Sequence, residues 1–318
     1  MGNNSKNKKL AVVMALGMFD GVHIGHRSLL NTAKADAQKL NCSAVAFTFD
    51  RHPKEVLGRK QRLLTTSEEK VRIINSLGLK VHMAKFTKEY ASLEPEKFLD
   101  LLREDYDIKE IIVGFNFNFG KNAKGDAEYL KQYCKANDII LKIIQPVSHR
   151  SQVASSTIIR ACLAESDIEK ANEMLQMPYF ICGKVISRNQ IGNKIGFPTA
   201  NIETDKKVIP KNGVYATIAS FLDSEKKPHF FRSMTNIGIR PSIIEANKEI
   251  TIESHLIDFN EMIYGKKISI SFFEYIRPEI RFSGLQELTR QIDNDKDFTL
   301  SYFSKLDYDK VTKEIYVP

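Results

Sequence analysis

At 318 residues, 42% hydrophobic and 27% charged, the chain is long enough for two cores and too well mixed to be disordered. A formal net charge of +8 suits an anionic ligand, although much of it is dispersed lysine that a solvated basic surface explains equally well. Four scattered cysteines, with no close pair at metal-ligand spacing, fit the reduced thiols of a cytosol better than a disulfide scaffold.

In chain order, the apolar run Leu10–Leu16 leads straight into Phe-Asp-Gly-Val-His without a small-residue cleavage site. It therefore reads as a buried strand and not a signal core. Apolar residues at helical spacing follow His26, and Ser43–Phe49 reads as a second strand. Thr66 and Glu69 form a capping box for a helix that Gly78 ends. Strands are predicted at Val81–Phe86, Glu110–Phe115 and Ile139–Pro146, with helices at Lys97–Arg103 and Ala127–Lys135. This alternation predicts an α/β fold, a doubly wound parallel sheet with ligands at the carboxyl ends of its strands. After a helical stretch ending near Leu175 the pattern changes to short β-rich runs from Phe180 to Phe273, which predicts a small antiparallel barrel. A last helix is predicted over Gly284–Asp293, and the domain boundary is placed near Pro178, giving domains 1–178 and 179–318. No segment approaches a membrane-spanning length, so a soluble cytoplasmic protein is expected, with neither membrane nor nucleic acid as a partner.

The segment Gly17–His26 joins strand to helix, where free N–H groups and the helix dipole bind phosphate. Gly21 and Gly25 let a triphosphate approach the backbone. His23 and His26, three apart, share one face of the first turn, where they can neutralise charge as pyrophosphate leaves. Asp20 positions either a metal or the chain itself. A zinc site would need further ligands, and none is placed nearby. There is no G-x-x-x-x-G-K-[ST] loop and no dinucleotide fingerprint.

Three further segments fall where a strand has just ended. Phe49-Asp50-Arg51-His52-Pro53 closes the second strand. Val113–Gly120 alternates aromatics with asparagines, and its rings are either core or a stacking platform. Ser155-Ser156-Thr157-Ile158-Ile159-Arg160 opens a helix with hydroxyls, which are either caps alone or, with an Arg one turn on, a second phosphate grip.

The order H-x-G-H, F-D-x-H-P, N-F-x-F-G and S-S-T-x-x-R resembles the adenylyltransferase half of bacterial bifunctional riboflavin kinase/FAD synthetases. Gly196–Asn201, Asn212–Tyr215, Asn236–Pro241 and Ile252–Phe259 resemble the riboflavin kinase half, so the likeness covers nearly the whole chain in order. It implies transfer of AMP from ATP to FMN, giving FAD and pyrophosphate, in the first domain. His23, His26 and Arg160 would be catalytic, and Gly17, Phe19, Asp20, Gly21, Gly25, Ser156 and Thr157 would bind ATP. Asp50, His52, Asn116, Phe117 and Phe119 would lie by the nucleotide or flavin. In the second domain it implies phosphorylation of riboflavin, with Glu253 as general base, and Gly196, Pro198, Thr199 and Asn201 at ATP and Mg²⁺, Thr199 being the metal contact. FAD-dependent apoproteins would receive the product.

The chain departs from the family's usual pattern at Arg51 and Asn118, where Pro and Arg are common. Heavier departures fall in the second half: Asn193 in a usually basic stretch, with Lys194 the nearest cation, Ser233 for a glycine, and Ser242 for a threonine. These predict a weakened or absent kinase activity. The alternatives are an FAD synthetase with an inactive kinase-like domain, a nucleotidyltransferase for another phosphate-bearing acceptor, and a flavin- or RNA-binding regulatory protein.

Overall fold

The computed structural model describes residues 9–56, 58, 61–187, 197–204, 207–241 and 248–318. The chain divides into two compact units, Met1–Ser156 and Thr157–Pro318.

The first unit is a five-stranded parallel sheet in the order β3-β2-β1-β4-β5. Its strands are β1 (Leu10–Leu16), β2 (Ser43–Phe49), β3 (Lys80–Ala84), β4 (Tyr106–Gly114) and β5 (Ile140–Ile144). Side chains alternate across a strand. Val12, Met14 and Leu16 therefore pack with α5 (Pro95–Asp105) and α6 (Ala127–Ala136) through Phe98, Leu99, Leu102, Leu130 and Tyr133. Val13 and Ala15, on the other face, are equally buried, and α1 (Ile24–Lys39) packs across β1, β2 and β4. Burial on both faces explains why β1 reads as one unbroken apolar run. The strand order reverses between β1 and β4, so the crevice at their carboxyl ends falls between Gly17 and the Val113–Gly120 segment. The capping box forms at the start of α3 (Ser67–Ser76): Glu69 N–H donates to Thr66 Oγ1 at 3.3 Å, and Thr66 N–H donates to Glu69 Oε2 at 2.7 Å.

A short antiparallel pair, β6 (Ser148–His149) with β7 (Gln152–Val153), follows β5, and in the second unit six antiparallel strands close a barrel in the order β10-β11-β12-β9-β8-β13. They are β8 (Tyr179–Ile186), β9 (Ala200–Glu203), β10 (Gly213–Leu222), β11 (Pro228–Pro241), β12 (Lys248–Leu256) and β13 (Lys267–Arg277). From Thr157 on, helix α7 (Ser156–Glu165) and helix α8 (Ile168–Leu175) fall in this compact unit. Asn172 on α8 donates to Phe272 O at 2.9 Å and accepts from Tyr179 N–H at 2.7 Å, and Lys211 N–H donates to Leu163 O at 3.0 Å. The last long helix runs over Leu285–Ser304, past its expected end at Asp293. Asp295 sits in mid-helix, yet its carboxylate is buried and receives Arg277 Nε and NH2 at 2.9 and 2.7 Å, which offsets its poor helix propensity.

Candidate functional site

In the first unit the turn after β1 is built under strain. Phe19, Gly21 and Val22 all have positive φ, at 50°, 82° and 43°, a conformation that only glycine adopts freely. What over-determines it is Asp20. Its Oδ1 accepts from Leu64 and Thr65 N–H at 2.9 and 3.2 Å, Gly21 N–H donates to Thr65 Oγ1 at 3.0 Å, and Ser156 Oγ donates to Asp20 O at 2.8 Å. Of the two roles open to Asp20, holding the chain is the one these bonds describe.

The strained turn delivers two histidines to the first turn of α1. The His23 and His26 rings stack at 3.7 Å and 21°, and Phe19, fully buried, meets His26 edge-on at 5.4 Å. A Cβ at Gly25 would stand 3.2 Å from the His23 ring, so the glycine makes room for the imidazole. Both Nδ1 atoms are buried without a hydrogen-bond partner. Burial, opposed by the Asp20 charge, lowers the His23 pKa to about 4. Burial, then the neighbouring His23 and Lys70, pushes His26 well below the usual histidine range. At neutral pH the pair is uncharged, ready to donate to an oxyanion.

This sets a pH dependence. The unfolded chain protonates His23 near 6.5, the folded chain only near 4, so stability is full above about pH 6.5 and falls as the pH drops towards 4. The loss amounts to about 3 kcal/mol. Melting temperatures should fall through this window in wild type and less steeply in His23→Gln, where the buried His26 is the one of the pair that still has to take up a proton; parallel curves would contradict the assignment.

Beside the turn lies an apolar cavity of about 400 Å³ whose walls include Gly17, Met18, Phe49, Tyr90, Phe117 and Phe119. The Phe117 and Phe119 rings stack at 5.5 Å and 19°. Of the two readings of this aromatic segment, Phe119 serves both, since it is buried in the core and also lines the cavity. Asn116 is exposed at the same strand end. Asp50 ties β2 to the chain after β3, its Oδ1 accepting from Phe86 N–H at 2.9 Å, and His52 lies half-buried just before α2 (Pro53–Val56). Thr157 is exposed and Arg160 half-buried on α7, one residue and one turn after Ser156.

Sequence reasoning missed Lys70. Its side chain is buried, and its Nζ donates to Met18 O at 3.1 Å, Thr48 Oγ1 at 3.0 Å and Phe49 O at 2.9 Å. Its place in the first turn of α3, where the dipole disfavours a cation, was the only signal in the sequence.

In the second unit two cavities, of about 290 and 280 Å³, share Thr199 as a common wall. The first is also lined by Asn236, Glu253, His255, Arg277 and Glu279, the second by Pro198, Leu256, Phe259 and Tyr264. Glu253 on β12 pairs in register with Asn201 of β9 on one side and Asn236 of β11 on the other. His255, two residues on and therefore on the same face, bonds Pro198 O through Nδ1 at 2.9 Å. Alternation along β12 would have revealed it. Gly196, Asn193, Lys194 and Ser242 lie outside the described residues. Ser233, which stands where the family usually has glycine, is accommodated in full. Ser233 Oγ pairs with Thr217 Oγ1 at 2.8 Å within a buried hydroxyl network that includes Thr235 and Ser254. That network lies on the face opposite Met234 and Asn236, which line the cavity.

The comparisons with known proteins follow the same division. A family model for FAD synthetase matches residues 5–158, and one for riboflavin kinase matches residues 175–303. A bifunctional riboflavin kinase/FMN adenylyltransferase of Bacillus subtilis (strain 168) is 37% identical over 311 residues, 95% of each chain. Its counterpart in Escherichia coli (strain K12) is 31% identical over 305 residues, 95% of this chain and 96% of that one. A crystal structure described as a macrolide-efflux protein from Streptococcus pneumoniae superposes with a TM-score of 0.82 at 28% identity, covering 93% of this chain and 95% of that one.

Proposed function

The chain belongs to the family of bifunctional riboflavin kinase/FMN adenylyltransferases, and we propose that its two units divide those activities between the two sites just described. The enzyme makes FMN from riboflavin and ATP, and FAD from FMN and ATP. The first activity is assigned to the barrel half, residues 179–318, and the second to residues 1–178, a range that adds Thr157 and Arg160 on α7 to the first compact unit.

For adenylyl transfer, a phosphate oxygen of FMN attacks the α-phosphorus of ATP and pyrophosphate leaves, with no covalent enzyme intermediate. The observation that carries this reading is the stacked, uncharged His23–His26 pair on a strained helix start, next to an aromatic cavity large enough to take much of a flavin ring. The imidazoles would donate to phosphate oxygens as charge builds on the leaving group. Gly17, Gly21, Gly25 and the hydroxyls of Ser156 and Thr157 would hold the triphosphate with Arg160. Phe117 and Phe119 would stack the flavin, while Phe19 and Asp20 would act through His26 and the turn. Asp50, His52 and Asn116 would border the nucleotide.

For the kinase, a cavity for each substrate on either side of Thr199 is what phosphoryl transfer requires. Glu253 would take the proton of the 5′-hydroxyl, and Pro198, Thr199 and Asn201 would lie at the ATP phosphates. Among the described residues no group of three or more His, Cys, Asp or Glu side chains converges on a metal position. In this reading Mg²⁺ would arrive with ATP, with the Thr199 hydroxyl as a protein ligand, and supply charge neutralisation. Among the described residues no helix is long and apolar enough to cross a membrane. A cytoplasmic enzyme passing FAD to apoproteins fits this reading.

Labelled ATP tests the assignment of the phosphates. Label at the α-phosphate should enter FAD when FMN is the acceptor, and label at the γ-phosphate should enter FMN when riboflavin is the acceptor. Label in neither flavin would overturn it.

A further inference from the structure

The apolar cavity and the histidine turn must keep a fixed spacing if a flavin phosphate is to meet the α-phosphorus of ATP. One side chain joins them. Lys70 reaches back from α3 to oxygens 52, 22 and 21 residues away in sequence: Met18 O, Thr48 Oγ1 and Phe49 O. Met18 and Phe49 both line the cavity, and the strained turn begins at Phe19, the residue directly after Met18. Thr48 Oγ1 itself donates to Met18 O at 3.1 Å, so the chain just after β1 and the end of β2 close on the ammonium together. An ammonium has three N–H donors, and all three are taken by these oxygens. None is left for a ligand.

Resting on the proposed adenylyl transfer, the geometry points to Lys70 as a positioning residue for that reaction: it sets the distance between the flavin cavity and the phosphate turn without touching either substrate. The charged and titratable groups around it are Asp20 and His26 from the turn and α1, Asp50 from the end of β2, and Glu69 on its own helix, whose carboxylate is engaged by Thr66 N–H. Burial lowers the Lys70 pKa to about 8, and the charges of Asp20 and Asp50 oppose that fall. The clamp therefore weakens as the pH rises through that value, because the neutral amine has one fewer proton to donate.

The test uses the full chain, whose kinase activity reports the state of the same preparation. In Lys70→Met the kcat for FAD formation should fall about 100-fold, the cost of a misplacement of about 1 Å. KM for ATP and FMN should change less than about fivefold, since no ligand contact is lost. FMN formation from riboflavin should stay within about twofold. In wild type, kcat for FAD formation should decline above about pH 8, and Lys70→Arg, whose charge persists, should lose that decline. A Lys70→Met kcat within threefold of wild type overturns the inference, as does a loss matching the fraction of first unit unfolded by circular dichroism. If that variant does not fold, a wild-type kcat that stays flat to pH 10 overturns it. Wild type that makes no FAD from FMN would instead sink the proposed function itself.

Discussion

His26→Ala should lower FAD formation from FMN by a factor of about 10² to 10³, while FMN formation from riboflavin by the same protein stays within about twofold. The magnitude is that of removing one preorganised donor from a site where charge develops. His26 is held by Phe19 on one side and His23 on the other, so its ring has one orientation before any ligand arrives. Because burial keeps it neutral, it can meet the leaving pyrophosphate with an N–H that was not already committed to an ion pair. The variant also loses ring packing, so a fall in stability is expected; rates are therefore to be normalised to folded protein. Steady-state kinetics with each flavin separately provide the check. A protein that only binds flavin would show a modest change in affinity and no turnover to lose.

Glu253→Gln should do the reverse. The shape at β12 is kept, but the amide cannot take a proton, so FMN formation should drop about 10²- to 10⁴-fold with FAD formation from FMN intact. Glu253 stands between Asn201 and Asn236 in the sheet register and faces the cavity that shares Thr199 with its neighbour. A general base at that point would sit next to the hydroxyl of a riboflavin bound in one cavity and the phosphates of ATP in the other. Retention of kinase activity in Glu253→Gln would move the base elsewhere. Ser233 gives no reason to expect a weak kinase in the wild type, since its hydroxyl is satisfied on the buried face.

The parts of this molecule that were readable in the sequence are those set by neighbours along the chain. The unbroken apolar run of β1, the Thr66–Glu69 box and the H-x-G-H spacing all act within a few residues, and all are present where expected. What the sequence hid depends on long-range partners. Nothing local announces that Lys70 bonds Met18, or that Asp20 is committed to the backbone at 64 and 65. The helix over Leu285–Ser304 continues through Asp293, Asn294 and Asp295, all poor helix formers, and the partner that holds Asp295 there is Arg277 on distant β13. The barrel's short strands were legible as a class, but its closure by β10 against β13 is a pairing across the whole second unit. Grouping of α7 and α8 with the barrel likewise follows from contacts such as Asn172 to Phe272.

The most direct test of the account is chromatography of the flavins formed when the purified chain, ATP and Mg²⁺ are given riboflavin and FMN in separate reactions. The account predicts FMN followed by FAD from riboflavin, and FAD with one pyrophosphate per molecule from FMN. FMN returned unchanged, with no pyrophosphate released, would contradict it.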